Sequence, residues 1–228
     1  MRVWLASCST ATLLIVLAGL STPLGARADS SYHYFNSSQL DLTTLLPPPP
    51  ETGSSLERSD QQQVSSTVAD RTQAQLLEAQ QNSMRDVFFF SKSIGPGFGP
   101  ANLPITNRFF SYVRSDVEHL IDQAKLHWER ARPNGAMKAR GSYPSGHAAF
   151  AAATSILLSQ LIPSKRDMIF EQARIFAENR IILGVHYPSD VAAGWTAGTL
   201  AAYVMMRDPR CQHDLLGVRM ELSRAGFE

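Results

Sequence analysis

Cysteine is almost absent: Cys8 and Cys211 are the only two in 228 residues. They are too few for a disulfide framework or a cysteine-rich zinc site. Neither sign of charge is in surplus, with 21 Lys and Arg against 20 Asp and Glu. The composition therefore offers no basic excess to hold a polyphosphate backbone, and no nucleic-acid partner is expected. The 14 glycines and 13 prolines are too few for a collagen-like or low-complexity chain. No His-Glu-x-x-His or comparable spacing marks a metal site. What is present is 44% hydrophobic and 18% charged residues, enough for a packed core in one domain with an appendage.

Residues 1–28 read as a secretory signal peptide. Arg2 is followed by an apolar core from Ala11 to Leu20, too short to span a bilayer comfortably, and by Ala26-Arg27-Ala28, an A-x-A cleavage pattern. Cleavage would remove Arg2, Arg27 and no acid, so the net charge of +1 loses two positive charges and becomes −1. It would also remove Cys8 and leave Cys211 as an inert thiol. The expected location is periplasmic or secreted. No later apolar run is long enough for a stable membrane span.

Residues 29–54 form an extended N-terminal arm. They hold Tyr32, Tyr34 and Phe35, then Leu45-Leu46 and four consecutive prolines, Pro47 to Pro50, which favour polyproline II. The arm could pack across a neighbour in a homo-oligomer. Residues 55–228 are expected to make an all-helical domain. Ser54 to Asn82 has no internal Gly or Pro and sparse apolar residues, as in polar surface helices. Ile94 to Pro100 is a breaker-rich loop; its prolines lack the N–H donors that a phosphate cradle needs. Phe110, Val113, Val117, Leu120, Ile121, Ala124 and Trp128 recur at helical spacing, closed by Arg132-Pro133-Asn134-Gly135. Ala148–Ile162 and Met168–Leu183 are further helices, the latter capped by Gly184. A last one runs from Pro188 to about Met206 and is apolar on almost every side, as at a bundle centre. No alternating strand pattern competes, so the fold reads as all-α.

Four clusters place charge where these helices should be apolar. Arg180 continues the stripe Ile169, Ala173, Phe176, Ala177, and a buried guanidinium is costly without an anion. Ser145-Gly146-His147 stands directly before a helix: Ser145 is a plausible N-cap, Gly146 permits close backbone approach, and the helix N-terminus attracts anions. Asp190 lies on the stripe Ala193, Gly194, Ala197, Ala201, with His186 one turn before it. An Asp that accepts from His Nδ1 leaves Nε2 as the reactive nitrogen. Lys125 and Arg132 are two turns apart on one helical face. Each cluster alone has an ordinary reading: a buried ion pair, a capping serine, a core His–Asp pair, solvated charges. Together they converge three cations, two histidines and a carboxylate, and phosphate is the natural guest.

Lys125-x6-Arg132-Pro133, Pro144-Ser145-Gly146-His147 and Arg180-x5-His186-x3-Asp190 together resemble the three-part signature of the phosphatidic acid phosphatase type 2 (PAP2) superfamily. Within it, Gly141 to His147, the proline-rich arm and the chain length are similar to class A bacterial non-specific acid phosphatases. Ala148 departs from the usual Thr, and Asn179 from the common Ser. The resemblance implies a compact helical bundle of the PAP2, acid phosphatase and vanadium haloperoxidase type. It implies a metal-independent acid phosphatase, a phosphoric monoester hydrolase acting on small phosphomonoesters, with phosphotransfer to alcohols left open. His186 would be the nucleophile forming a phosphohistidine, Asp190 its orienting partner, and His147 the general acid and base. Lys125, Arg132, Ser145, Gly146 and Arg180 would bind the phosphate. No cofactor is implied, and vanadate should inhibit as a transition-state mimic. The competing functions are a lipid phosphate phosphatase and a non-catalytic phosphate-binding protein; the latter would need neither histidine.

Overall fold

A computed structural model of the chain describes residues 32–35, 39–81, 83–135 and 141–227. The signal-peptide reading of residues 1–28 lies outside them. All regular structure among the described residues is helical, as the sequence pattern predicts. In chain order the α-helices are α1 (Leu42–Leu45), α2 (Ser55–Asp70), α3 (Gln73–Gln81), α4 (Ser91–Ile94), α5 (Pro104–Trp128), α6 (Gly146–Leu161), α7 (Arg166–Ile182), α8 (Pro188–Met205) and α9 (Pro209–Arg224). Short 3-10 turns precede α4 and α7, at Val87–Phe90 and Pro163–Lys165.

The central helix is α6. Its Ala148 to Thr154 run is buried without a break, so small side chains let three neighbours, α5, α7 and α8, close around it. The sequence pattern places α8 at the centre, but α8 buries one stripe only, Asp190, Ala193, Gly194, Ala197, Gly198, Ala201, Ala202 and Met205, and exposes Thr196, Thr199 and Tyr203. Its apolar composition serves an unusually close contact instead. A Cβ on Gly194 would lie 2.3 Å from the Ser145 carbonyl oxygen, and one on Gly198 would lie 2.0 Å from that of Ala149. Only glycine lets the two backbones meet there.

Helix α5 presents Phe109, Phe110, Val113, Val117, Leu120, Ile121 and Ala124 to the core at 3–4-residue spacing. It stops at Trp128 because Glu129 turns into the left-handed region, with φ 46°. Arg132 therefore lies in the following loop and not on the helical face shared with Lys125 that the sevenfold spacing suggests. Gly184, with φ 67°, follows Leu183, the C-cap residue of α7, and so takes the capping role expected of it.

The arm folds back on its own chain. Tyr32, Tyr34, Phe35, Leu40, Leu42 and Leu46 are buried, and Leu42–Leu45 is one helical turn instead of extended chain. Asp116, buried on α5, accepts the backbone N–H groups of His33 and Tyr34 at 2.7 and 2.8 Å. Tyr34 donates to Asp214 on α9 at 2.9 Å, and Tyr143 donates to the Pro47 carbonyl at 2.6 Å. Helix α9 has no counterpart in the sequence reading. Asp208 caps it by accepting from Arg210 and Cys211 N–H, Pro209 sits in its first turn, and Cys211, Val218 and Leu222 are its narrow buried seam. Burial pushes the Cys211 thiol up to about 12, which leaves it an unreactive apolar filler.

Candidate active site

Four segments that are distant in sequence meet at the N-terminus of α6. Ser145 caps that helix, its hydroxyl accepting from Ala148 N–H. Its own N–H donates to the Asp190 carbonyl at 2.9 Å, a bond that the glycine contact between α6 and α8 makes possible. Gly146 and His147 form the first turn, where backbone N–H groups have no helical acceptor.

His186 precedes α8 and is buried. Its Nδ1–H donates to Asp190 Oδ2 at 3.1 Å, and the Tyr187 N–H donates to the same oxygen at 2.9 Å. With the proton held at Nδ1, Nε2 carries the lone pair, and Arg132 Nη1 donates toward it at 3.2 Å. Burial pulls His186 down to about 4, although Asp190 works in the other direction. The imidazole is therefore neutral and nucleophilic well into the acid range. Burial disfavours the Asp190 carboxylate, but His186, Arg130 and the Tyr187 N–H more than offset this and hold it ionised.

The cations surround this pair. Lys125 and Arg132 both donate to the Gly141 carbonyl, at 3.1 and 3.3 Å, and Arg132 also donates to the Val185 carbonyl at 2.8 Å. Arg180 is 8% exposed, and its Nε and Nη1 have no hydrogen-bond partner among the described residues; neither has Arg132 Nε. Burial, then Arg132 and Arg85, press the Arg180 guanidinium down to about 10. Buried guanidinium N–H groups that repel each other and lack acceptors are the mark of a site shaped for a multiply charged anion. Among the described residues, no group of three or more His, Cys, Asp or Glu is arranged to hold a metal ion.

His147 is half-buried, with its Nε2–H donating to the Ser83 carbonyl at 2.9 Å. A carbonyl only accepts, so Nδ1 is the nitrogen left to take up and give a proton. Burial and then Arg180 hold this ring well below the ordinary histidine range.

All eight residues singled out from the sequence thus lie around the α6 N-terminus and the start of α8. The reading missed the support behind them. Arg130 donates to Asp190 Oδ1 at 2.7 Å, to Ser189 Oγ at 2.7 Å and to Asp60 Oδ2 at 2.8 Å, and its ring contact is with Tyr187, 4.1 Å from the centroid. Burial alone would depress Arg130, yet Asp190 and Asp60 raise it. Asp60, 3% exposed on α2, also accepts from the Ser189 N–H at 3.2 Å and from its hydroxyl. The signal was there: Asp60 and Val64 are one turn apart, so a carboxylate shares the only apolar edge of a polar helix. Ala148 and Asn179, the two departures, are both buried, and Asn179 Nδ2 has no partner among the described residues.

Residues 110–212 match the PAP2 superfamily. The chain is 28% identical over 237 aligned positions to an acid phosphatase of Zymomonas mobilis, covering 92% of this chain and 87% of that one. It is 26% identical over 218 positions to a non-specific acid phosphatase of Providencia stuartii, covering 85% of each. The fold is similar to the crystal structure of a transmembrane PAP2 type phosphatidylglycerolphosphate phosphatase from Bacillus subtilis, with a TM-score of 0.50 and 19% identity over 74% of this chain and 90% of that one. No helix among the described residues is long and apolar enough to cross a membrane.

Proposed function

We propose that the chain, which carries a PAP2 superfamily domain, is an acid phosphatase that hydrolyses small phosphomonoesters through a phosphohistidine. The observation that carries this reading is the oriented Nε2 of His186 beside buried cations whose N–H groups lack acceptors. Lys125, Arg132, Arg180, the Ser145 hydroxyl and the α6 N-terminal backbone at Gly146 hold the three non-bridging oxygens. His186 Nε2 attacks phosphorus as the P–O ester bond breaks, and the proton on His147 Nδ1 goes to the departing oxygen. Water then attacks the phosphorus of the P–N adduct. His147 takes the water's proton, the P–N bond breaks, and its electron pair returns to Nε2. The cations meet charge that grows at the equatorial oxygens, the task a metal ion performs in other phosphoryl-transfer sites.

The same donor set supports metal independence and tight inhibition by vanadate, which adopts the five-coordinate geometry of phosphorus in transit. The Ala11–Leu20 core and Ala26-Arg27-Ala28 support export with cleavage after Ala28, and N-terminal sequencing of the exported protein should begin at Asp29.

Labelling with a radioactive activated phosphoester, quenched in alkaline detergent so that a P–N bond survives, tests the central claim. Wild type should yield an acid-labile, base-stable phosphoenzyme, and His186→Ala none. Phosphate binding without phosphate release would instead favour the non-catalytic phosphate-binding reading. Loss of activity on exhaustive chelation, restored by zinc or magnesium, would overturn metal independence.

A further inference from the structure

Arg85 stands against the site although no step above uses it. The segment that carries it is pinned at both ends: the Ser83 carbonyl accepts from His147 at 2.9 Å, and Asp86 caps the Val87–Phe90 turn by accepting from Phe88 N–H at 2.9 Å. Between these anchors the Arg85 side chain reaches the first residue of α6. A Cβ on Gly146 would lie 2.9 Å from Arg85 Nη1, so the missing side chain of that glycine makes room for a guanidinium. Arg85 Nη2 pairs with Glu118 on α5 at 2.9 Å, and the two side chains are 30% and 35% exposed. A pair this open is weak and exchanges readily for a better-placed anion. Ser83, two residues before Arg85, holds the His147 ring, and Gly146, which Arg85 Nη1 approaches, is the residue next to His147, so this fourth cation lies on the His147 side of the pocket.

In-line displacement puts the leaving group away from His186 and beside His147, which protonates it. Arg85 is therefore next to the leaving group and not behind the nucleophile. Lys125, Arg132 and Arg180 already face the phosphate, so a further cation at the exit has a use only where the leaving group is itself charged. We propose that Arg85 is a specificity residue that favours phosphomonoesters whose leaving group carries a carboxylate or a second phosphoryl group close to the scissile oxygen. The proposal rests on the phosphatase reading.

The test is a ratio of kcat/KM values for matched charged and neutral substrates. One pair is 2-phosphoglycolate against 2-hydroxyethyl phosphate; the other is 1,3-propanediol bisphosphate against its monophosphate. The charged-to-neutral ratio should exceed one in wild type and fall about tenfold in Arg85→Gln, the effect of losing one partly buried charge contact. It should rise in Glu118→Gln, which frees Arg85 from its competitor, and fall with added salt in wild type. A response confined to one pair would identify which anion is read. Should Arg85→Gln fail to fold, Glu118→Gln and the salt series decide. Phosphate release with ratios that ignore Arg85, Glu118 and salt would overturn this proposal and leave the phosphatase reading intact. No phosphate release from any of the four would overturn both.

Discussion

The two histidines of the site live in opposite surroundings. His186 is buried, its Nδ1 tied to an ionised Asp190, which is tied to Arg130, which is tied to Asp60 and Ser189. His147 is half-buried, holds one backbone carbonyl and shares its neighbourhood with an ion pair that is one third exposed. The His186 side, where the proposed mechanism puts the nucleophile, is a closed network running from Nδ1 to Asp60. The His147 side, where it puts the leaving group, is looser, which suits esters of different shape. On that mechanism preorganisation is concentrated where charge develops identically for every substrate, on phosphorus, and relaxed where substrates differ.

The sharpest break of this contrast is His186→Ala. Loss of a covalent nucleophile should reduce kcat by about 10⁴-fold or more and remove the phosphoenzyme entirely. A phosphoenzyme that survives in this variant but disappears in His147→Ala would exchange the two roles. His147→Ala should cost about 10²–10⁴-fold with alkyl phosphates, whose alkoxide needs a proton, and far less with p-nitrophenyl phosphate. Because the proposed second step also needs His147, rapid-quench experiments with the activated ester should find phosphohistidine accumulating in that variant.

The pH profile sharpens the comparison further. In the proposed mechanism His186 must be neutral to attack, and its depressed pKa keeps it neutral down to about 4. With p-nitrophenyl phosphate, kcat/KM should hold as pH falls from 6 toward 4 and decline only below that. With alkyl phosphates activity should drop about tenfold per unit as pH rises above the acid range, because His147, held low by burial and Arg180, loses its proton there. The smallest effect is expected at Asp60→Asn. It removes one charged hydrogen bond of Arg130, so kcat should fall about tenfold with KM little changed. Arg130 would then bear more fully on Asp190, His186 would lose support for its charged form, and the acid limb should move to lower pH. A loss of stability with an unmoved pH limb would show that Asp60 only holds the fold.

Key parts of the candidate site were legible because they violate a local pattern: a guanidinium on an apolar stripe at Arg180, a carboxylate on one at Asp190. The helical fold was legible from the same periodicity. What escaped lies where the pattern is silent. Arg130 sits in a charged stretch, Glu129-Arg130-Ala131-Arg132, where no periodicity says which cation points inward; the left-handed Glu129 decides it. Helix α9 has a seam of only three buried residues, too narrow to stand out. The arm's aromatic residues gave no hint of a partner, since Asp116, the carboxylate that holds them, looks from the sequence like any polar position on α5.

The bond network of Asp60 with Ser189 spans 129 residues of chain. Such a contact forms late, after the intervening helices have closed the loop between its ends. In the proposed mechanism a fully active His186 thus exists only once α2 has docked on α8, so the final rise in the rate of hydrolysis reports completed folding. A chain caught partway, with the central bundle collapsed but α2 still free, would have His186 oriented by Asp190 but without the support that Asp60 gives Arg130. Stopped-flow refolding watched in parallel by Trp fluorescence and by turnover would show the second signal lagging the first.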